Sequence, residues 1–183
     1  MELYDEKQLL VLLKDQKTVR RGFEIMVHQY REKLYWQIRR IVLFHEDADD
    51  ILQNTFIKVW NSIDSFHGDS KLFTWLSRIA INESLDFMRK KKVRQTISVD
   101  DEAMGVANQL LADSFFDGDE TAAQLQEAIA ELPDVQPTVF QLRYFDEMKY
   151  SEISQITGTS EGGLKASYHI AVKKIEDFFH RHD

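Results

Sequence analysis

The chain has 183 residues, room for one ordinary domain or two small ones, and its 43% hydrophobic and 30% charged residues strike a globular balance. Only 7 Gly and 2 Pro occur, too few for a turn-rich β fold, and the absence of cysteine excludes disulfides and thiolate metal sites and fits a reducing compartment. The net charge of −8 argues on its face against nucleic acid, but it is segmented: residues 20–92 carry 13 basic and 10 acidic side chains, residues 93–121 one against seven, and residues 122–183 six against ten.

The apolar run Leu9–Leu13 is far too short to cross a membrane, and no small-residue cleavage site follows it. Neither membrane insertion nor a signal peptide is expected. The run falls in a short helix predicted around Asp5–Lys14. Apolar residues then recur at helical steps, first Phe23, Val27, Tyr30, Leu34, Ile38 and Ile41, then Ala48, Leu52, Thr55, Phe56 and Val59. Asp47 is the candidate cap of the second of these helices, with Asp49 and Asp50 suited to the positive end of its dipole. Ser62–Asp69 is rich in turn formers. Asp69 or Ser70 would cap the next helix, whose stripe is Leu72, Trp75, Leu76, Ile79 and Ala80 and whose end is the basic run Arg89–Lys92.

Val93–Thr121 interrupts this periodicity and reads as a flexible acidic linker. Its apolar residues Leu110, Leu111, Phe115 and Phe116 fit either a docking segment or incidental packing. Beyond it, Ala122–Leu132 is a helix stopped by Pro133, and Pro137 opens another. Ser151–Thr157 is a short helix closed by Gly158, and Ser160 caps a last helix with the stripe Leu164, Tyr168, Ala171, Ile175 and Phe178. Two helices joined by Gly158–Thr159–Ser160 form a helix-turn-helix signal. The expected architecture is all-α: a helical domain over 1–92, an acidic linker over 93–121, and a second helical domain over 122–183 that ends in the helix-turn-helix.

Enzymatic chemistry finds no support. His45–Glu46–Asp47 with Asp49 and Asp50 is the one dense set of metal-ligating types, but it lacks the glycine and distal glutamate of a calcium loop and a second histidine one turn on. No glycine-rich phosphate loop and no nucleophile turn occur. No metal, cofactor or catalytic residue is expected.

Three stretches, taken together, resemble the sigma-70 family of RNA polymerase sigma factors, in its extracytoplasmic-function (ECF) group. Asp47–Trp60 resembles the family's core-binding helix, Phe66–Asn82 its promoter-melting segment, and Leu132–Lys174 its promoter-reading domain. The similarity covers residues 20–92 and 122–180, in the family's order and spacing.

The resemblance implies an alternative sigma factor, with core RNA polymerase, promoter DNA and an anti-sigma factor as partners and the cytoplasm as its place. It assigns core binding to Asp47, Asp50, Ile51, Gln53, Ile57, Lys58 and Trp60. Residue type alone also allows Phe56 and Trp60 to be core and the acids to be solvated caps. For the −10 element it implies Phe66, His67, Gly68, Asp69, Ser70, Lys71, Arg78 and Asn82, with Phe66 a stacking face, Asn82 a base reader and Lys71 and Arg78 on phosphates. Trp75 keeps core spacing. For the −35 element it implies Ser160, Lys165, Ser167, His169 and Lys173. Lys165, His169 and Lys173 recur every fourth residue opposite the apolar stripe, and no acid occurs from Leu164 to Ile175. Asn54, His67, Ala166, Ser167 and Ile170 depart from the usual family residues. The competing reading is a helix-turn-helix regulator that acts without being a polymerase subunit.

Overall fold

The computed structural model describes residues 4–95, 105–133 and 135–182, and every regular element among them is helical. The linker acids Asp100, Asp101 and Glu102 lie outside the described residues. In the N-terminal half, α1 (Glu6–Lys14), α2 (Val19–Val42), α3 (His45–Ser62) and α4 (Leu72–Gln95) pack around one core that includes Leu9, Met26, Leu34, Ile38, Val59 and Leu76. Each such side chain, when fully buried, contributes about 1.5–3 kcal/mol.

Local chemistry explains most of the helix ends. Asp5 accepts from the Gln8 N–H at 2.8 Å while Gln8 accepts from the Asp5 N–H at 3.1 Å, closing a capping box on α1. Gly22 permits close approach of α2 to α1, since a Cβ there would lie 3.0 Å from the Leu12 backbone carbon. Two caps differ from expectation. Leu43 turns the chain at φ 70, so α3 begins at His45 and Asp47 falls in its first turn instead of at the cap. For α4 neither Asp69 nor Ser70 serves: the Leu72 N–H donates to the Glu6 carboxylate of α1 at 3.0 Å. A residue 66 positions away thus replaces the local cap.

The α2 stripe also shifts. Ile25, Met26, Leu34, Ile38 and Val42 are its buried members, whereas Phe23 and Val27 are half-exposed and line a groove.

The segment read as a flexible linker contains a helix, α5 (Val106–Ala112), packed on α6 (Glu120–Ala130) through Ala107, Leu110 and Ala123. Leu110 is 1% exposed. A buried ion pair, Arg39 Nη2 to Asp113 Oδ2 at 2.7 Å, ties the segment back to α2. Its apolar residues therefore include a docking helix, with Leu111 and Phe115 left exposed.

Asp119 caps α6 by accepting from the Ala122 N–H at 2.8 Å. Then come α7 (Gln136–Tyr144), α8 (Tyr150–Thr157) and α9 (Glu161–His182). Gly158 ends α8 at φ 73, the left-handed stop expected of it. Ser160 accepts from the Gly163 N–H at 3.2 Å and caps α9, so α8 and α9 form the helix-turn-helix.

The two halves share a core. Ile81 of α4, 1% exposed, lies in one cluster with Val139, Leu142, Met148, Ile153, Ile156 and Leu164 of α7–α9, and Phe73 and Leu85 pack against it. Asp146, between α7 and α8, accepts from Arg40 at 3.0 Å and from Gln37 at 3.1 Å.

Candidate nucleic-acid and partner interfaces

The outer face of α3 is the first candidate surface. Asp50, Gln53, Ile57, Lys58 and Trp60 are exposed, Ile57 at 58% and Trp60 at 41%. Trp60 is thus a surface residue, fixed edge-on against Phe23 at 4.9 Å, and Phe56 supports Phe23 from beneath at 6.3 Å. Lys58 is paired with Glu83 of α4, and Asp47 with Lys91 at 2.8 Å. Ile51 corrects the sequence reading: at 3% exposure it belongs to the core, because its helical phase follows Ala48 and Leu52. Beside this face runs a groove of about 990 Å³, with Phe23, Val27, Tyr35 and Trp36 of α2 on one wall and His45 and Asp49 of α3 on the other. Phe115 closes one end, stacked on His45 at 3.9 Å.

The second surface is the loop before α4. Ile63–Ser65 forms a short 3₁₀ turn, and Gly68 at φ 85 reverses the chain in a conformation that disfavours other residues. His67, Gly68, Asp69 and Lys71 are exposed and Ser70 is half-buried. With α4, this loop encloses a pocket of about 450 Å³ lined by Ser65, Phe66, His67, Asp69, Ser70, Thr74, Trp75 and Arg78. Phe66 corrects the second reading. Its ring is 6% exposed and tilted on Trp75 at 5.1 Å, so it forms the floor of the pocket and offers no free stacking face. Trp75 is half-buried. Arg78 and Asn82, one helical turn apart on α4, are both exposed.

Two residues beside this loop come from the other half of the molecule, and no local signal in the sequence announces them. Gln155 of α8 lines the pocket, and Glu152 binds Lys71 at 2.8 Å. Hydrogen bonding to Lys71 holds the Glu152 carboxyl below the usual carboxylate range, and the same bond raises the Lys71 ammonium. Asp146 behaves oppositely: burial pushes its carboxyl up, against the attraction of Arg40.

On the third surface, Lys165, His169 and Lys173 project from α9 and are exposed, opposite the buried Leu164, Ala171 and Ile175. Lys165 lies 5.8 Å from the centre of the Tyr150 ring. Ser167 is half-buried, on the edge of this face, and Ser160 acts as the helix cap. No ion pair engages Lys165, His169 or Lys173 among the described residues.

The comparisons identify this arrangement. The family model for sigma-70 region 2 matches residues 26–94, and that for sigma-70 region 4 matches residues 122–175. The chain belongs to the sigma-70 family, in its ECF group. It is 33% identical over 172 residues to the ECF RNA polymerase sigma factor SigW of Bacillus subtilis, covering 87% of this chain and 92% of that one. It is 26% identical to the ECF RNA polymerase sigma-E factor of Haemophilus influenzae, covering 88% and 89%. Among solved structures, the sigma factor RpoE of Bartonella quintana, in complex with the anti-sigma factor NepR, shares the fold with a TM-score of 0.71 at 22% identity, covering 87% and 98%. The chain is an alternative sigma factor that directs transcription initiation, a non-enzymatic promoter-specificity subunit that works with core RNA polymerase and promoter DNA. A freestanding helix-turn-helix regulator is not favoured, since it leaves the region 2 match unexplained. Among the described residues no helix is long and apolar enough to cross a membrane.

Proposed function

We propose that the three surfaces divide the work of initiation. The α3 face, with Asp50, Gln53, Ile57, Lys58 and Trp60, docks on core RNA polymerase: an aromatic and an aliphatic anchor ringed by polar groups is the composition of a helix–helix interface. The loop from His67 to Lys71, with Arg78 and Asn82, holds the opened −10 strand, an amide reading a base edge while the cations meet phosphates. Lys165, Ser167, His169 and Lys173 of α9 enter the major groove at the −35 element. The domains are 1–92 and 122–183, joined by 93–121. The factor acts in the cytoplasm and is held by an anti-sigma partner, a reading supported by the structural neighbour RpoE, solved in complex with the anti-sigma factor NepR.

The observation that carries this reading is the 450 Å³ pocket, walled by the glycine-turned loop and set beside the exposed Arg78 and Asn82. The purified chain is expected to co-elute with core RNA polymerase and to confer promoter-dependent transcription on it. Binding of duplex DNA as a dimer, with no effect on polymerase, would overturn the reading.

A further inference from the structure

The loop proposed for the −10 strand is pinned at both ends. At its front the Phe66 N–H donates to the Ile63 carbonyl at 3.1 Å, and the Phe66 ring packs on Trp75. At its rear the chain enters α4 at Leu72, which is fully buried. We infer that Glu6 is a positioning residue for the −10 strand: its carboxylate, 3.0 Å from the Leu72 N–H, fixes the loop against the helix that carries Arg78 and Asn82. This rests on the assignment of the loop, Arg78 and Asn82 to the −10 strand.

Three observations support it. First, α4 depends on a distant cap. Asp69 is exposed and the Ser70 hydroxyl donates to the Lys71 carbonyl at 3.3 Å, so the acid that a helix N-terminus favours comes from α1 instead. Second, Glu6 sits on a rigid mount. It is the first residue of α1, inside the Asp5–Gln8 capping box. The Tyr4 N–H donates to Gln29 Oε1 at 3.3 Å and Gln29 Nε2 donates back to the Tyr4 carbonyl at 2.8 Å, which ties this end of α1 to α2. Third, little else holds the loop between its pins. His67, Gly68 and Asp69 are exposed, and Lys71 with Glu152 is a surface ion pair of the kind that contributes little. A base-reading amide has to be held within about 0.5 Å of its productive place. Losing a helix cap shifts a local equilibrium between set and frayed states about two- to thirtyfold.

The test uses the full chain and preformed holoenzyme. Glu6→Ala removes the acceptor, and Glu6→Gln keeps an oxygen in its place. Thr18→Ala weakens α1 at its other end, where the Thr18 hydroxyl donates to the Leu12 carbonyl at 2.9 Å. Amide hydrogen exchange in the free chain reads the cap itself. The Leu72 and Trp75 N–H groups are expected to exchange about tenfold faster in Glu6→Ala than in the parent. Glu6→Gln should keep most of the parent's protection, and Thr18→Ala all of it.

Permanganate reactivity of unpaired thymines reads the function, on a panel of −10 variants with the −35 element held constant. Glu6→Ala is expected to lower melting of the preferred promoter about tenfold and to flatten discrimination among the −10 variants. Discrimination among −35 variants should not change. Glu6→Gln should recover most of the loss, and Thr18→Ala should keep the parent's −10 preference. Unchanged exchange at Leu72 in Glu6→Ala overturns the cap. A loss of melting in Thr18→Ala equal to that in Glu6→Ala overturns the positioning role, since both changes would then act only through the stability of α1. Faster exchange with an unaltered −10 preference overturns it as well, and Asn82→Ala in the same assay separates the causes. A loss there keeps the −10 assignment and removes Glu6 alone, whereas parent-like melting there removes the assignment itself.

Discussion

The surface around the pre-α4 loop and the outer face of α9 both carry exposed cations, but these stand in opposite states. On the first, Lys71 is paired with Glu152 and Gln155 of α8 lines the adjoining pocket. On the second, Lys165, His169 and Lys173 point outward without an ion pair among the described residues. Neighbouring elements account for the difference. α9 turns one face inward onto Leu164, Ala171 and Ile175 and leaves the other uncovered, whereas α4 has α8 lying across it. Exposed cations are therefore without an ion pair on α9, among the described residues, and ion-paired at Lys71, whose side chain stays 66% exposed.

The most severe way to break this contrast is Ile81→Ala. If α4 truly completes the core of α7–α9, the change removes a fully buried side chain and costs about 2–5 kcal/mol. Thermal or denaturant unfolding reads the loss. An effect within about 0.5 kcal/mol, the usual surface value, would mean the halves are separate in solution.

Next in size is the division within α9. Lys165, in its first turns, is expected to meet base edges, so Lys165→Ala should cost about 1–3 kcal/mol on the preferred −35 element and flatten discrimination among its variants. Lys173, two turns on, should behave as a phosphate anchor: its alanine variant weakens all sequences alike and lowers the salt slope by about one unit. Transcription by preformed holoenzyme from a panel of −35 variants, at several salt concentrations, separates the two.

On the surface around the pre-α4 loop, Asn82→Ala is expected to reduce open-complex formation by about 1–3 kcal/mol, the cost of a lost base contact that leaves its partners unpaired, while core binding stays intact. Permanganate reactivity of unpaired thymines measures it, and reactivity equal to the parent's would remove Asn82 from base reading. On α3, replacing Asp50 and Gln53 together by Ala should weaken co-elution with core polymerase while changing stability by no more than about 0.5 kcal/mol, because both side chains are exposed.

The smallest effect is one of pH. The carboxyl of Glu152, lowered by its bond to Lys71, stabilises the folded chain at neutral pH and loses that contribution as pH falls through its folded-state value, below the ordinary 4.5. Asp146, raised by burial, has the opposite sign: its contribution is complete below the ordinary 3.8 and fades as pH rises through its folded-state value. The difference in thermal stability between the parent and Glu152→Gln should therefore be present at neutral pH and vanish once pH falls below the lowered value of the Glu152 carboxyl. A difference that persists in acid would show that the Lys71–Glu152 contact is not what the substitution removes.

Features that depend on near neighbours in the chain were legible from the sequence. Gly158 stops α8, Pro137 stands in the first turn of α7, Ser160 caps α9, and the Leu164–Phe178 stripe faces inward. Each follows from steric or hydrogen-bonding rules acting over about four residues. The all-α class and the basic face of α9 follow the same logic. Where a residue's role depends on which distant element lies over it, the sequence was silent or misleading. Ile51 and Phe66 have residue types that suit an interface, and the packing of the core took both. Leu110 lay in an acidic stretch that resembles a linker, and only the proximity of α6 makes it a buried anchor. Glu6 caps a helix 66 residues away. Lys71 shows the limit most clearly: its charge and its place just before α4 can be read from the chain, but its pairing with Glu152 cannot. Helical periodicity determines which face a residue occupies, whereas whether that face meets water or protein is set by burying Ile81 against α7–α9, a long-range packing event with no local signature.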